Sequence, residues 1–169
     1  LENLNPEPDD LKSLCAAFGT TSGAPMLHIS GQTPEASLPV APIAATHIIN
    51  LESIAEAWHQ LNQAETSIDL VAIGSPHASF EEVKKINSYF SGRKCHSNTN
   101  MIITVGRHTL ALLKQAKIYP TLIQSGVQVI ADICCCSITE PLLPLQARTI
   151  LTNSGKYAHY AYGLSGRHA

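Results

Sequence analysis

Apolar positions along the chain recur with two alternating periods. After Pro6-Glu7-Pro8-Asp9, a capped helix start, Leu11, Leu14, Cys15 and Phe18 fall at helical spacing and predict a helix over Asp9–Gly19. Pro25 to Ser30 is a short apolar run between Ser22-Gly23 and Gly31 and predicts a buried strand, followed by a loop from Gly31 to Pro42. Thr46 to Asn50 predicts a second strand, and Leu51 to Asn62 a helix with Ile54, Ala55, Trp58 and Leu61 on one face. A third strand, Asp69 to Gly74, runs into Ser75-Pro76-His77. A helix over Phe80–Phe90 follows, with Val83, Ile86, Tyr89 and Phe90 inward, and then a strand over Ile102–Val105. Helices over Thr109–Ala116 and Pro120–Gly126, a β-branched strand over Val127–Ile130 and a last strand over Arg148–Thr152 complete the pattern. The stretch Asn153 to Tyr160 reads as a polar loop delivered by that last strand, with nothing helical beyond it. Strands alternating with helices through short loops define the fold class as α/β, a mainly parallel sheet with flanking helices.

Composition narrows the function. A chain of 169 residues can bury a core without metal or disulfide. Eleven Lys+Arg against thirteen Asp+Glu leave a formal charge of -2, and no basic cluster exceeds Lys84-Lys85. That balance excludes a nucleic-acid or polybasic membrane surface. No apolar run approaches the roughly 20 residues a spanning helix needs, and the polar, acidic start LENLNPEPDD does not read as a signal peptide, so a cytoplasmic protein is expected. Five cysteines are an odd number, and Cys134, Cys135 and Cys136 are consecutive, which predicts reduced thiols or a metal centre rather than a disulfide framework. The chain opens on Leu1 and stops at GLSGRHA without a closing element, which predicts a fragment of a longer protein.

Ligands of parallel sheets bind beyond the carboxyl ends of the strands. Four loops there carry chemistry-bearing groups: Gly31 to Glu35 with Thr33 and Glu35, Gly74 to His77 with Ser75 and His77, Asp132 to Cys134, and Thr152 to Tyr160 with Asn153, Ser154, Lys156, Tyr157 and His159. Each also has a plainer reading. Thr33 and Glu35 suit a helix start, and a lone His77 suits a capping loop. The cysteine triplet suits a set of small buried hydrophobes, and it lacks the C-x-x-C spacing of common zinc and ferredoxin sites. Neighbouring side chains of an extended segment point apart, so one or two of the three thiols can reach a single site, with Cys134 nearest the strand end. The phosphate-cradling glycine loops and the commonest hydrolase motifs are absent from the sequence.

Four stretches in order resemble the aconitase X family over nearly the whole chain. They are SGAPMLHISGQTPEA (Ser22 to Ala36), DLVAIGSPHASFEEV (Asp69 to Val83), ADICCC (Ala131 to Cys136) and TNSGKYAHY (Thr152 to Tyr160) with Gly163 to Gly166 beyond. The resemblance implies an aconitase-like α/β architecture and a hydro-lyase that uses iron as a Lewis acid to dehydrate a small hydroxy acid, cis-3-hydroxy-L-proline or mevalonate 5-phosphate. The lack of an evident basic phosphate pocket leans toward hydroxyproline. The family's iron centre is a mononuclear iron or a two-iron two-sulfur cluster, and the match makes Cys134 its ligand here. Ser75 stands where cluster-bearing members have Cys, which favours a mononuclear or altered site.

By the same resemblance Ser154 is the expected base, and Lys156 lowers its pKa or binds the substrate carboxylate. His77 or His159 would protonate the leaving group, while Thr33, Glu35, Ser75, Asn153 and Tyr157 would contact substrate. Residues 1–169 are then a partial catalytic domain, whose partners are an absent amino-terminal region and a small swivelling domain or subunit. Two other classes stay open, a non-catalytic remnant acting as a binding module and a thiol-redox protein built on Cys134 to Cys136. Adjacent cysteines make strained disulfides, which ranks the second of these last.

Overall fold

A computed structural model describes residues 5–24, 26–63 and 66–169. The predicted strand at Pro25 begins outside the described residues. In chain order the elements are α1 (Pro8–Thr21), a 3-10 turn (Pro34–Ser37), α2 (Leu51–Leu61), β1 (Leu70–Ala78), α3 (Phe80–Phe90), β2 (Asn100–Val105), α4 (Arg107–Gln115), α5 (Ile118–Gln124), β3 (Val127–Ala131), a 3-10 turn (Cys135–Ser137), β4 (Ile150–Leu151) and α6 (Gly155–Ser165). The four strands form one parallel sheet in the order β3-β2-β1-β4.

Strand alternation builds a core on each face of this sheet. Ile73, Ile103, Val105 and Val127 pack with Val83, Leu113 and Leu122 from the helices of one face. Leu70, Ala72, Ile102 and Ile150 pack on the other face with Cys135, Ile138, Leu143, Tyr157 and Ala161. Ser79 starts α3 with a capping box, its Oγ accepting from the Glu82 amide while the Glu82 carboxylate accepts from the Ser79 amide. α1 packs on α6 and on β1. Lys12 ties it there by bonding the Glu82 carboxylate and, at 3.3 Å, the His77 carbonyl.

β1 leaves the regular ladder where it reaches the site. Ile73 pairs with Ile103 and Ala78 with Val105, so Gly74 to His77 loop out against Thr104. Gly74 has φ +112°, and a Cβ there would overlap the Thr104 carbonyl and hydroxyl. The Thr104 hydroxyl donates to the Gly74 carbonyl at 2.7 Å. Only a residue without a side chain permits this approach.

Several expectations are corrected. Residues 26–30 form no strand, because the polar groups of Ile29 are satisfied locally: its amide donates to the Thr33 hydroxyl at 2.9 Å and its carbonyl accepts from Gln32 and Thr33. Thr46 to Asn50 is exposed coil, with Ile48 at 85% and Ile49 at 76% exposure, and Asn50 caps α2 by accepting from Ser53. The apolar face of α2 is not packed into a core, since Trp58 is 68% and Ile54 56% exposed. β4 is two residues long because the amides of Arg148 and Thr149 turn aside to the Asp69 carboxylate, at 2.7 and 3.1 Å. These two amides hold that carboxyl below the usual aspartate pKa. The polar stretch after Asn153 is a helix rather than a loop: Ser154 caps it by accepting from the Tyr157 amide at 3.1 Å, and Tyr157 and Ala161 bury one face.

Replacing Gly74 with Ala should cost about 3 kcal/mol, the sum of an overpacked contact and an unfavourable positive φ. Urea denaturation of the chain measures it, and an unchanged midpoint would show that the close approach is dispensable.

Candidate active site

The carboxyl ends of all four strands face the same way, and the order β3-β2-β1-β4 reverses direction between β1 and β4. The chain moves outward from β1 through β2 to β3, then returns to the other side of β1. Loops leaving the two strands at such a point diverge and open a crevice. Ser75 follows β1 residue Gly74 on one side of it, and Ser154 follows β4 on the other.

The two sides are joined by a direct link, as the Ser154 hydroxyl donates to the Ser75 carbonyl. The same Ser154 oxygen accepts from the Tyr157 amide. Above the link the Ser75 side chain gathers two thiols. Cys134 Sγ donates to Ser75 Oγ at 3.3 Å, and Cys136 Sγ lies 3.1 Å from the same oxygen. Ser75 and Ser154 are buried, while Cys134, Cys136 and Lys156 are half-buried. Burial works against ionisation of Cys134, but interactions with Ser75 and Cys136 and the Lys156 charge outweigh it and bring its pKa below that of an ordinary thiol. Burial, together with the Cys134 charge, pushes the Cys136 thiol up. Of the two thiols, Cys134 is therefore the one that ionises first.

Cys135 points elsewhere. Its thiol donates to the Ile73 carbonyl at 3.3 Å and lies 3.5 Å from the Thr104 hydroxyl, and burial pushes its pKa to about 11. Tyr157 is buried beneath the thiols, and burial pushes its phenol to about 12, so it remains a neutral group. Asp132 at the end of β3 accepts from the Arg107 amide at 2.8 Å and its Nε at 2.7 Å, and these bonds lower its pKa. The neighbouring His77 adds to that lowering. His77 Nε2 is buried and has no hydrogen-bond partner.

The sequence-derived candidates thus divide into groups. Ser75, Cys134, Ser154 and Lys156 come together, with Tyr157 beneath and His77 beside Asp132 on the same sheet edge. Asn153, next to Ser154, joins it in lining an apolar cleft of about 430 Å³ between Trp58 and Leu61 of α2 and Gly155 and Ala158 of α6. His159 lies on the outer side of α6, in a cavity shared with Gln60, Leu61 and His168. Thr33 and Glu35 line a groove with Cys15 and Phe18 of α1. Cys136 was not singled out by sequence reasoning, although the period of an extended segment puts residues 134 and 136 on one side. Among the described residues no group of three or more His, Cys, Asp or Glu is placed to hold a metal ion. No described helix is long and apolar enough to cross a membrane.

These features define a parallel α/β domain with thiols and hydroxyls collected at a topological switch point. Residues 68–169 match the Aconitase X third domain and residues 1–65 the Aconitase X second domain, so the chain belongs to the aconitase X family. It is 42% identical over 97% of its length to cis-3-hydroxy-L-proline dehydratase of Hypocrea jecorina, of which it covers 29%. It is 40% identical to the Pseudomonas aeruginosa enzyme of the same name, covering 30% of it. Phosphomevalonate dehydratase large subunit of Methanocaldococcus jannaschii is 32% identical and 39% covered. The crystal structure of Thermococcus kodakaraensis aconitase X in its holo-form superposes with a TM-score of 0.81 at 29% identity, covering 99% of this chain and 43% of that one. The chain therefore spans well under half the length of these relatives.

The thiolate is the form that alkylates. A lowered pKa ionises Cys134 at lower pH, whereas burial raises the pKa of Cys95. Iodoacetamide labelling of Cys134 should therefore reach its plateau at a lower pH than labelling of Cys95, as read by peptide mass spectrometry. Coincident pH curves would contradict the charge assignment.

Proposed function

We propose that this chain supplies part of the catalytic region of a hydro-lyase that dehydrates a small hydroxy acid, with cis-3-hydroxy-L-proline as substrate. The observation that carries the reading is the meeting of Ser154, Ser75 and two thiols at the switch point of a domain belonging to the aconitase X family. The choice of substrate follows identity: relatives at 40% and 42% are cis-3-hydroxy-L-proline dehydratases, while the phosphomevalonate dehydratase large subunit of Methanocaldococcus jannaschii stands at 32%. A mevalonate 5-phosphate dehydratase is the alternative activity.

Dehydration needs a base for the proton beside a carboxylate and assistance for the departing hydroxyl. Ser154 is the proposed base. It caps α6, where the helix dipole and the Tyr157 amide favour an anionic oxygen, and Lys156 in the same first turn adds positive charge. The Ser75 carbonyl accepts a hydrogen bond from the Ser154 hydroxyl in this structure and holds it in place. Lys156 also suits the substrate carboxylate. The unpartnered Nε2 of His77 has the capacity to pass a proton to the leaving group. Ser75 and Asn153 would meet the substrate at the crevice. Thr33, Glu35 and His159 line separate cavities and would meet it only where other parts of the catalytic region close over them.

The two thiols on Ser75 fit an iron centre as part of a donor set, either mononuclear iron or a two-iron two-sulfur cluster. Cys134, with its lowered pKa, would be the first ligand and Cys136 the second, and other ligands would come from outside these residues. When bound, iron supplies Lewis-acid assistance to the departing hydroxyl. The lengths of the relatives support an amino-terminal region and a swivelling domain or subunit as the parts that complete the site.

The test combines the chain anaerobically with iron and the remaining regions of the Pseudomonas aeruginosa relative and assays both substrates. Turnover of cis-3-hydroxy-L-proline is expected only in the combined sample, and Ser154→Ala should lower kcat by about 10²- to 10⁴-fold, the usual contribution of a general base. Undiminished turnover by the variant would remove Ser154 as base. Turnover of mevalonate 5-phosphate alone would reassign the substrate, and no turnover of either would leave a binding module.

A further inference from the structure

Cys134 is extended, with φ -78° and ψ 145°, and the chain then tightens into the 3-10 turn Cys135–Ser137. This sends the middle thiol one way and the outer two the other. Cys135 is 2% exposed and packed in the core beneath β1 and β2, held by the Ile73 carbonyl and Thr104. Cys134 and Cys136 are half-buried, and both reach the one oxygen of Ser75, at 3.3 and 3.1 Å. The remaining cysteines lie apart, Cys15 on the exposed side of α1 and Cys95 in the loop before β2.

The objection to disulfides between adjacent cysteines applies to pairs that include Cys135, and the fold already keeps that thiol away. It does not apply to the outer pair. A single hydroxyl bridges these two sulfurs. That hydroxyl cannot be oxidised by the reagents that oxidise thiols, so Ser75 brings the pair together without competing for a bond.

We propose that Cys134 and Cys136 form an oxidisable dithiol whose oxidant is a peroxide. Two thiols give up two electrons and two protons, one S–S bond forms, and the O–O bond of hydrogen peroxide breaks to yield two waters. A thiol reductant reverses the step by exchange through a mixed disulfide. The pairing needs only the two thiols and stands apart from the dehydratase reading. Its consequence for iron rests on that reading, because sulfurs joined to each other no longer serve as thiolate ligands, and the bridged chain is then a form that reduction must restore before metal can load.

The chain as it stands tests this without any activity assay. Trypsin releases residues 118–148 as one peptide holding all three neighbouring cysteines. After brief hydrogen peroxide treatment of the folded, metal-free chain, unfolding and alkylation, this peptide should weigh roughly 2 Da less before alkylation and accept one alkyl group instead of three. Dithiothreitol should restore all three. In the Cys135→Ser variant the oxidised peptide should accept none. Exposed Cys15 is the internal control. If residues 118–148 still accept three alkyl groups at a dose that oxidises Cys15 fully, the proposal fails. It also fails if the bridge forms equally in the Cys136→Ser variant, which would assign it to Cys135.

Discussion

The site depends on one backbone contact. Gly74 lies so close to Thr104 that the two strands touch main chain to main chain, and Thr104 fixes the approach by donating to the Gly74 carbonyl. Because β1 must loop outward at this contact, Ser75 to His77 leave the ladder while neighbouring strands continue to pair. Ser75 then serves both sides of the crevice, its carbonyl accepting from Ser154 beyond β4 and its hydroxyl gathering the thiols beyond β3. A side chain at position 74 would shift the segment on which all of these bonds converge.

Packing and electrostatics support the same point from both faces of the sheet. Cys135 anchors the triplet by burial, and that anchoring leaves Cys134 and Cys136 directed at Ser75. Asp132, with φ 62°, ends β3 by accepting from Arg107, and so sets where the triplet begins. Arg167 is buried with its charge satisfied by Glu140 and the carbonyls of Pro144 and Ala147, which ties the stretch after the cysteines to the end of α6. The thiol edge and the Ser154 helix are therefore held in register by a link remote from either.

Legibility in the sequence followed the range of the interaction responsible. α3 was readable from its helical period, since it buries one face, and β1, β2 and β3 from their short continuous apolar runs, since they bury residues in the cores on both faces of the sheet. Residues 26–30 and 46–50 carry the same short apolar signal, yet a strand needs a neighbour to share its hydrogen bonds, and here the Ile29 amide is taken by Thr33 and the Asn50 carbonyl by Ile54 of α2, while residues 46–50 lie exposed. α6 was missed because its tyrosines, glycines and lysine hide the Tyr157–Ala161 spacing, although Ser154 before Tyr157 is a cap signal. The strand-end rule located Ser75, Cys134 and Ser154. It did not locate their mutual bonds, since residues 75 and 154 meet only through the return of β4 to the open side of β1. Nor did the residue types show that Thr33, Glu35 and His159 would line separate cavities.

In the proposed function Ser154, held at the switch point, removes a proton beside a carboxylate as its alkoxide. The most direct measurement is hydrogen–deuterium exchange at the α-carbon of L-proline, which lacks the hydroxyl that would leave, by the chain combined with the remaining catalytic regions in D₂O and followed by NMR. Exchange by the wild-type combination, lost in Ser154→Ala and retained in a Ser79→Ala control, is the predicted result. Equal exchange by the Ser154→Ala variant would contradict the account.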